Sequence, residues 1–146
     1  MLELTTETGI DLSCSALQHG YGLFETIRIA AGVPLLLELH LERLRDGLAA
    51  LDLPPPPDAD TVRRFAAGHA VPPGADGALK LVAADGRLMV WFGRPPRSIR
   101  NPATLLVFDR WRRHAACPLS RHKTVSYLEN MRLIQAARQA GADEAV

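Results

Sequence analysis

The amino-acid sequence predicts a mixed α/β (α+β) fold, and three observations support this. Two segments, residues 22–37 and 78–92, consist of strand-forming residues on either side of a short turn, which predicts two β-hairpins. Between them, leucines recur at spacings of three and four residues, the period of one buried helical face. Strands that alternate with helices along one chain indicate a mixed architecture.

The first hairpin is predicted from the sequence GLFETIRIAAGVPLLL at residues 22–37. A turn at Ala31-Gly32 separates its two strands. Successive side chains of a strand point to opposite faces, so two sets alternate here: Phe24, Thr26 and Arg28 against Glu25, Ile27 and Ile29.

Two helices are predicted to follow the first hairpin. The first extends from Glu38 to Asp52 and would bury one row of leucines, namely Leu37, Leu41, Leu44, Leu48 and Leu51. The four prolines at 54–57 cannot continue it, because each ring fixes φ and removes an amide donor. Asp58 or Asp60 can then cap a second helix that ends near Gly68.

The remaining chain is predicted to form another hairpin and the start of a second packing unit. Asp85-Gly86 is a strong turn signal between two apolar segments. Residues 93–103, GRPPRSIRNPA, lack any apolar period, so we place a linker at 94–102 between a domain of residues 1–93 and an incomplete one of residues 103–146. The second unit is predicted to hold a strand, TLLVFD, and a helix from Leu128 to Ala140 that ends at Gly141.

Composition argues for a small-molecule partner. The chain of 146 residues is 47% apolar and 23% charged, a composition that excludes general disorder. Its net charge of +1 excludes an electrostatic field of the whole molecule that would attract nucleic acid. The basic loop with Arg110, Arg112, Arg113 and Arg121 has only Trp111 between its charges, which is weak support for nucleic-acid binding.

Localisation and metal binding follow from similar observations. No apolar stretch approaches the ~18 residues that span a bilayer, and no secretion signal is visible, so we expect a cytoplasmic protein without a membrane partner. Two cysteines far apart in sequence fit a reduced compartment. The histidines His40, His114 and His122 have no paired spacing, so we expect no metal site.

Amine-based covalent chemistry could use only two residues, because Lys80 and Lys123 are the only lysines. Lys80 lies within the strand segment LKLVA, where a solvent-facing structural role is the simpler interpretation. Lys123 precedes Ser126-x-x-Glu129, a capping-box pattern that marks a helix start. The positive end of that helix would lower the lysine pKa, as an imine-forming amine requires, although an exposed loop lysine is the simpler interpretation of this pattern alone.

Two separated segments resemble one known family, the class IV aminotransferases, which are fold-type IV pyridoxal-phosphate enzymes. The segment GYGLFETIRIAAGVPLLLELHLERL is similar to the family's first signature, an FETIR-like strand followed by a helix with HxxRL, here His40 to Leu44. The segment SRHKTVSYLENMRLIQAARQAGADEA resembles the family's lysine region. Together they extend from about Asp11 to Val146. The resemblance implies the fold-type IV small domain and the beginning of the second domain.

The resemblance also implies roles for individual residues. Lys123 would be the Schiff-base lysine that also moves the substrate's α-proton, and Arg43 would bind the phosphate of pyridoxal 5'-phosphate. Tyr127 resembles the family tyrosine that hydrogen-bonds the cofactor's phenolic oxygen. The substrate pocket would be lined by Phe24, Thr26 and Arg28. A solvated helix charge remains the alternative for Arg43, and core packing the alternative for Phe24.

Three functions are compatible with this resemblance. The first is an aminotransferase that moves an amino group between amino acids and 2-oxo acids. The second is aminodeoxychorismate lyase, which makes 4-aminobenzoate and pyruvate for folate synthesis. The third is a truncated, catalytically incomplete family member, because relatives are usually longer and their later half supplies the acidic partner of the pyridine nitrogen. The tight Asp85-Gly86 turn also replaces a longer loop that helps many relatives to recognise substrate carboxylates.

The resemblance finally predicts a homodimer. Active sites in this family lie near a subunit interface, and an incomplete second domain leaves apolar surface that needs cover. Sedimentation velocity at micromolar concentration is therefore expected to show a dimer. A monomer as the single species at that concentration would contradict the prediction.

Overall fold

A computed structural model gives the fold of residues 1–7, 9, 11–94, 102–109, 114 and 116–146. The chain divides into two compact units, Met1–Pro96 with His122–Val125, and Arg97–Arg121 with Ser126–Val146. The predicted linker at 94–102 remains a prediction, because residues 95–101 lie outside the described residues. Most of the basic loop, residues 110–113, lies outside them as well.

The first unit contains a five-stranded sheet and three helices. Its strands are β1 (Glu3–Thr5), β2 (Leu23–Ala30), β3 (Val33–Pro34), β4 (Gly77–Ala84) and β5 (Arg87–Gly93). They lie in the order β1-β5-β4-β2-β3, and all neighbours are antiparallel except the pair β1 and β5. Its helices are α1 (Ser15–His19), α2 (Leu37–Ala50) and α3 (Ala59–His69). The mixed α/β prediction is confirmed.

Both predicted hairpins are present. The strands β2 and β3 meet at the turn Ala31-Gly32, and β4 and β5 meet at Asp85-Gly86. Asp85 and Gly86 both have positive φ, 47° and 75°, as a two-residue hairpin turn that matches the strand twist requires. A Cβ atom on Gly32 would lie 2.9 Å from the backbone nitrogen of Gly74, so the first turn also needs its glycine.

The two helices predicted after the first hairpin have the expected buried faces and caps. The leucines of α2 that the sequence assigned to one face are fully buried at Leu37, Leu41, Leu44 and Leu48, while Leu51 follows the helix and is half-buried. In α3, the carboxylate of Asp58 accepts a hydrogen bond of 2.8 Å from the Thr61 amide. Asp58 is therefore the N-cap of α3, one of the two candidates from the sequence.

The core of the first unit lies between one face of the sheet and the helices α2 and α3. The odd-numbered positions of β2 and β4 supply the sheet side of this core, chiefly Ile27, Ile29, Leu79 and Leu81. Phe24 and Thr26 are half-buried on the opposite face, and Arg28 is exposed there. The predicted alternation along β2 is thus confirmed, with Glu25 on the core side.

The second unit is small. It pairs two short parallel strands, β6 (Leu105–Leu106) and β7 (Glu144–Ala145), and contains the helix α4 (Leu128–Gln139) and a 3₁₀ turn at Pro118–Arg121. The predicted end of α4 is correct, since Gly141 follows it with φ of 79°. The predicted capping box at Ser126 is wrong, because the N-cap is Tyr127, with φ of −103° and ψ of 11° and no side-chain cap. The helix begins later than a Ser126 cap requires.

Candidate active site

Lys123 is fixed against the start of β2 by backbone hydrogen bonds. Its carbonyl accepts a bond of 2.9 Å from the Phe24 amide, and the Val125 amide donates a bond of 2.9 Å to the Gly22 carbonyl. Thr124 forms an isolated antiparallel bridge with Leu23. The short segment His122–Val125 therefore extends the sheet of the first unit, and Lys123 belongs to that unit.

Gly22 makes this close pairing possible. A Cβ atom at that position would lie 2.9 Å from the Ala83 carbonyl oxygen, which is too close for a real contact. It would also lie 3.4 Å from a methyl group of Val125. Any larger residue at position 22 would therefore push β2 away from either β4 or the lysine segment.

The side chain of Lys123 is half-buried beside an aromatic ring. Its Nζ atom lies 4.3 Å from the centroid of the Phe24 ring. Burial is the largest influence on the amine and lowers its pKa, and the positive charge of Arg43 lowers that pKa further, while the negative charge of Glu25 opposes them. The net pKa lies below the usual value of 10.5, the direction expected from the sequence, with burial as the main cause.

Glu25 is the one charged or polar residue that is fully buried among the described residues, and its side chain is 1% exposed. Its carboxylate accepts two hydrogen bonds from Arg43, from Nε at 2.7 Å and from Nη2 at 2.6 Å. His40 Nδ1 lies 2.8 Å from the same carboxylate. Burial would raise the pKa of Glu25, but the bonds from Arg43 and His40 outweigh it and hold that pKa below 4.5.

This ion pair fixes the orientation of the Arg43 guanidinium. Two of its three nitrogens face Glu25, and the side chain is still 52% exposed. The third nitrogen, Nη1, makes no hydrogen bond within the part of the chain that the structure describes. Arg43 therefore combines a fixed position with a donor that is available to an anion, which differs from a freely solvated helix charge.

No role was predicted for Glu25 from the sequence, although a signal for one was present. Glu25 occupies a position between Leu23 and Ile27 on the core face of β2, where a carboxylate is costly unless it is paired. A buried carboxylate therefore needs a cation on the element packed against it. The HxxRL segment of α2 supplies both partners, His40 and Arg43.

The predicted substrate residues share the face of β2 that points away from the core. Thr26 lies directly opposite Lys80 on β4, and Arg28 lies opposite Ala78. Lys80 is half-buried, with its Nζ atom 4.9 Å from the centroid of the Phe24 ring. Its predicted solvent-facing role therefore needs correction, because its ammonium group contacts the same ring as that of Lys123.

Tyr127 belongs to the second unit and lines a cavity there. The cavity has a volume of about 480 Å³, and Phe108, Asn130 and Ile134 also line it. The predicted contact of Tyr127 with a cofactor stays a prediction.

Within the described ranges, no group of three His, Cys, Asp or Glu residues could hold a metal ion. No helix in those ranges is long and apolar enough to span a bilayer.

Comparison with known families identifies the chain. The sequence model of the family described as "Amino-transferase class IV" matches residues 22–146. The chain belongs to this family. The match includes the segment of Lys123 and, from Gly22 onward, the strand and helix of Glu25 and Arg43, on which the resemblance was based. No curated protein matches the chain.

Solved structures show the same fold. A fold IV transaminase from Curtobacterium pusillum is 28% identical, with a TM-score of 0.70 over 96% of this chain and 53% of its own. A hypothetical aminotransferase from Mycobacterium tuberculosis, with α-ketoglutarate and PMP bound, is 26% identical, with a TM-score of 0.75 over 96% and 56%. A putative 4-amino-4-deoxychorismate lyase is 27% identical, with a TM-score of 0.74 over 97% and 58%. The chain thus spans little more than half the length of these proteins.

The pKa of Glu25 gives a testable dependence of stability on pH. Because folding lowers this pKa from 4.5, ionised Glu25 contributes stability that is present above about pH 4.5 and is lost as the pH falls through the lower folded pKa. The free energy of unfolding, measured by urea denaturation, should fall more steeply below pH 4.5 in the unsubstituted protein than in Glu25→Gln. Glu42→Gln, at an exposed position of α2, should follow the unsubstituted curve. Parallel curves for the unsubstituted protein and Glu25→Gln would contradict the prediction.

Proposed function

We propose that this chain is part of a pyridoxal-phosphate-dependent aminotransferase of class IV that uses Lys123 as its reactive amine. The observation that carries the proposal is the half-buried Lys123 amine of lowered pKa in the electrostatic range of the Arg43–Glu25 pair. An amine that binds a carbonyl carbon must first lose its proton, and burial favours that loss. The family match covers the segment that contains this residue.

The side chains of the first unit fit this cofactor. A phosphate needs charged donors in a fixed geometry, and the Nη1 atom of Arg43 offers one while Glu25 holds the guanidinium. An aldehyde needs an amine that can lose its proton, and burial lowers the pKa of the Lys123 amine in the direction that favours this loss. When bound, pyridoxal phosphate supplies the aldehyde and an electron-withdrawing ring. A M. tuberculosis relative has been solved in a PLP-bound form.

Each residue then has a distinct task. Lys123 would hold the cofactor through its Nζ atom, and the free amine would hold and move the proton of the substrate α-carbon. Arg43 would bind the phosphate, and Tyr127 would donate a hydrogen bond to the phenolic oxygen. Phe24 limits the position of the Lys123 amine by contact with its ring face. Thr26 and Arg28 contact the substrate from the same face of β2.

Aminodeoxychorismate lyase is the second candidate function, and the observation that favours it is the 27% identity to a putative lyase of that kind. The M. tuberculosis structure with α-ketoglutarate supports the aminotransferase instead, because that ligand is a 2-oxo acid. Turnover of aminodeoxychorismate to pyruvate without any 2-oxo acid acceptor would identify the lyase. Dependence on an acceptor would identify the aminotransferase.

The whole protein is the species to assay. We propose that it is a cytoplasmic homodimer.

Lys123 can be tested almost as a binary choice, since the chain has only one other lysine. Borohydride reduction of the cofactor-loaded protein should fix a pyridoxyl group on Lys123, and peptide mass mapping should find it on the segment that contains His122, Lys123 and Thr124. Lys80 should remain unmodified. Lys123→Ala should lose the protein–cofactor absorbance and nearly all turnover, because one group serves as both nucleophile and proton shuttle. Retention of both properties would overturn the proposal.

Arg43 can be tested against a neighbour on the same helix. Arg43→Ala should weaken binding of pyridoxal phosphate about tenfold to a hundredfold, because a hydrogen bond to a charged group contributes about 1.5–3 kcal/mol. Arg45 is exposed on α2 and makes none of the contacts with Glu25, so Arg45→Ala is the matched control. Fluorescence titration of the cofactor measures both affinities. Equal affinities for the two variants would rule out the phosphate role of Arg43.

A further inference from the structure

Gly47 leaves a notch in α2, and the residue next to Lys123 packs there. Glycine is less favourable than alanine inside a helix, yet Gly47 is one of the buried residues of α2. A Cβ atom on Gly47 would lie 3.4 Å from His122 Nδ1 and 2.8 Å from a terminal methyl carbon of Leu23. The imidazole and Leu23 therefore occupy the space that a side chain at position 47 would need.

The segment that carries Lys123 packs against a glycine at each of its ends. At one end, a methyl group of Val125 lies 3.4 Å from the position of a Cβ atom on Gly22. At the other end, His122 packs against Gly47. These two contacts together determine how closely the segment lies against the rest of the first unit.

The backbone attachment of this segment is short. It consists of one isolated bridge to β2 and the two hydrogen bonds on either side of that bridge. Each backbone hydrogen bond contributes little net stability, because the same groups bind water in the unfolded chain. Packing of the His122 side chain against α2 is therefore a substantial part of what keeps the Lys123 amine half-buried.

The helix that receives His122 also carries Arg43. Arg43 precedes Gly47 by one helical turn, and residues four positions apart lie on the same face of a helix. The notch thus fixes the lysine segment against the helix that holds the Arg43–Glu25 pair. Burial and the charges of this pair are the influences on the pKa of the Lys123 amine. All of them depend on how closely the segment lies against α2.

We propose that His122 is a positioning residue for Lys123, because it packs in the Gly47 notch and sets how deeply the Lys123 amine is buried. This inference rests on the proposed function, in which Lys123 is the reactive amine. A side chain at position 47, or a shorter side chain at position 122, would let the segment move toward solvent. Water would then stabilise the charged form of the amine.

Alanine at position 47 tests the notch. Acetic anhydride acetylates only neutral amines, so the rate at pH 7 divided by the plateau rate at high pH measures protonation separately from access of the reagent. In the whole protein without cofactor, Gly47→Ala should lower this ratio for Lys123 about threefold or more, because a more solvated amine keeps its proton to higher pH. Lys80 in the same sample is the internal reference, and peptide mass mapping separates the two lysines.

Gly68→Ala is the matched control for the notch. Gly68 also lies within a helix, α3, and a Cβ atom there would have no neighbour within 4 Å. Alanine is the better helix former at both positions, so the two substitutions differ in what the new methyl group meets. Gly68→Ala should leave the ratio for Lys123 unchanged.

Substitutions of His122 test the other side of the contact. His122→Ala should lower the ratio in the same direction as Gly47→Ala. His122→Asn places an amide atom at the same bond distance from the backbone as Nδ1, so it should restore most of the ratio. His69→Ala is the control, because His69 stacks on Phe65 in α3 with ring centroids 4.5 Å apart. It removes a packed imidazole elsewhere in the first unit and should leave the ratio unchanged.

The inference is overturned if Gly47→Ala or His122→Ala retains the unsubstituted ratio, or if Gly68→Ala and His69→Ala lower it equally. The labelling needs no cofactor, so the proposed function is tested separately. Ratios that respond as expected, in a protein whose Lys123 forms no adduct with pyridoxal phosphate, would refute the proposed function and retain the role of His122. An adduct on Lys123 with unchanged ratios would retain the proposed function and overturn the inference.

Discussion

The buried ion pair between Glu25 and Arg43 is the interaction on which the rest of the first unit depends. A carboxylate that is 1% exposed would be unfavourable by several kcal/mol without partners, and the bidentate contact with Arg43 and the bond with His40 provide them. Because both partners come from α2, the pair fixes the rotation of that helix on the sheet. The same rotation buries the leucine row from Leu37 to Leu48.

The strand β2 connects this pair with the lysine. Its odd positions place Glu25 toward α2, its even positions place Phe24 beside the Lys123 amine, and its first residues bind the lysine segment through backbone hydrogen bonds. The strand β2 therefore fixes the positions of both Arg43 and Lys123. The cofactor needs a hydrogen-bond donor to its phosphate and a neutral amine at a fixed separation. Both groups must therefore be supported by the same part of the fold. A disturbance of β2 would affect both groups together.

Much of this arrangement could be predicted from the sequence because its signals are local. The leucine spacing predicted α2, Asp58 was a predicted helix cap, and Asp85-Gly86 predicted a turn. Each of these features depends on residues that are only a few positions apart. The Ser126 cap failed because a capping pattern does not fix the residue at which a helix begins. The role of Glu25 was missed because it depends on packing between residues that are 18 positions apart.

The lysines show the same limit. The sequence identified Lys123 through family resemblance, whereas its helix-based explanation for a lowered pKa is replaced by burial as the main cause. Lys80 was interpreted as a surface residue because a strand alternates, yet its face of the sheet is partly covered and its ammonium group contacts Phe24. Burial and contacts between strands arise from the tertiary fold and have no local signature.

The central claim is that Glu25 makes Arg43 an effective hydrogen-bond donor to an anion, because Glu25 fixes the guanidinium. A double-mutant cycle with Glu25→Gln, Arg43→Lys and the double variant, measured as affinity for pyridoxal phosphate, tests this claim most directly. The account predicts a coupling free energy of about 0.5–3 kcal/mol. Lysine cannot form the bidentate contact with Glu25, so the substitution Arg43→Lys should reduce the cofactor affinity less when Glu25 has already been replaced. Losses that add to within about 0.3 kcal/mol would show that the two residues act independently and would contradict the account.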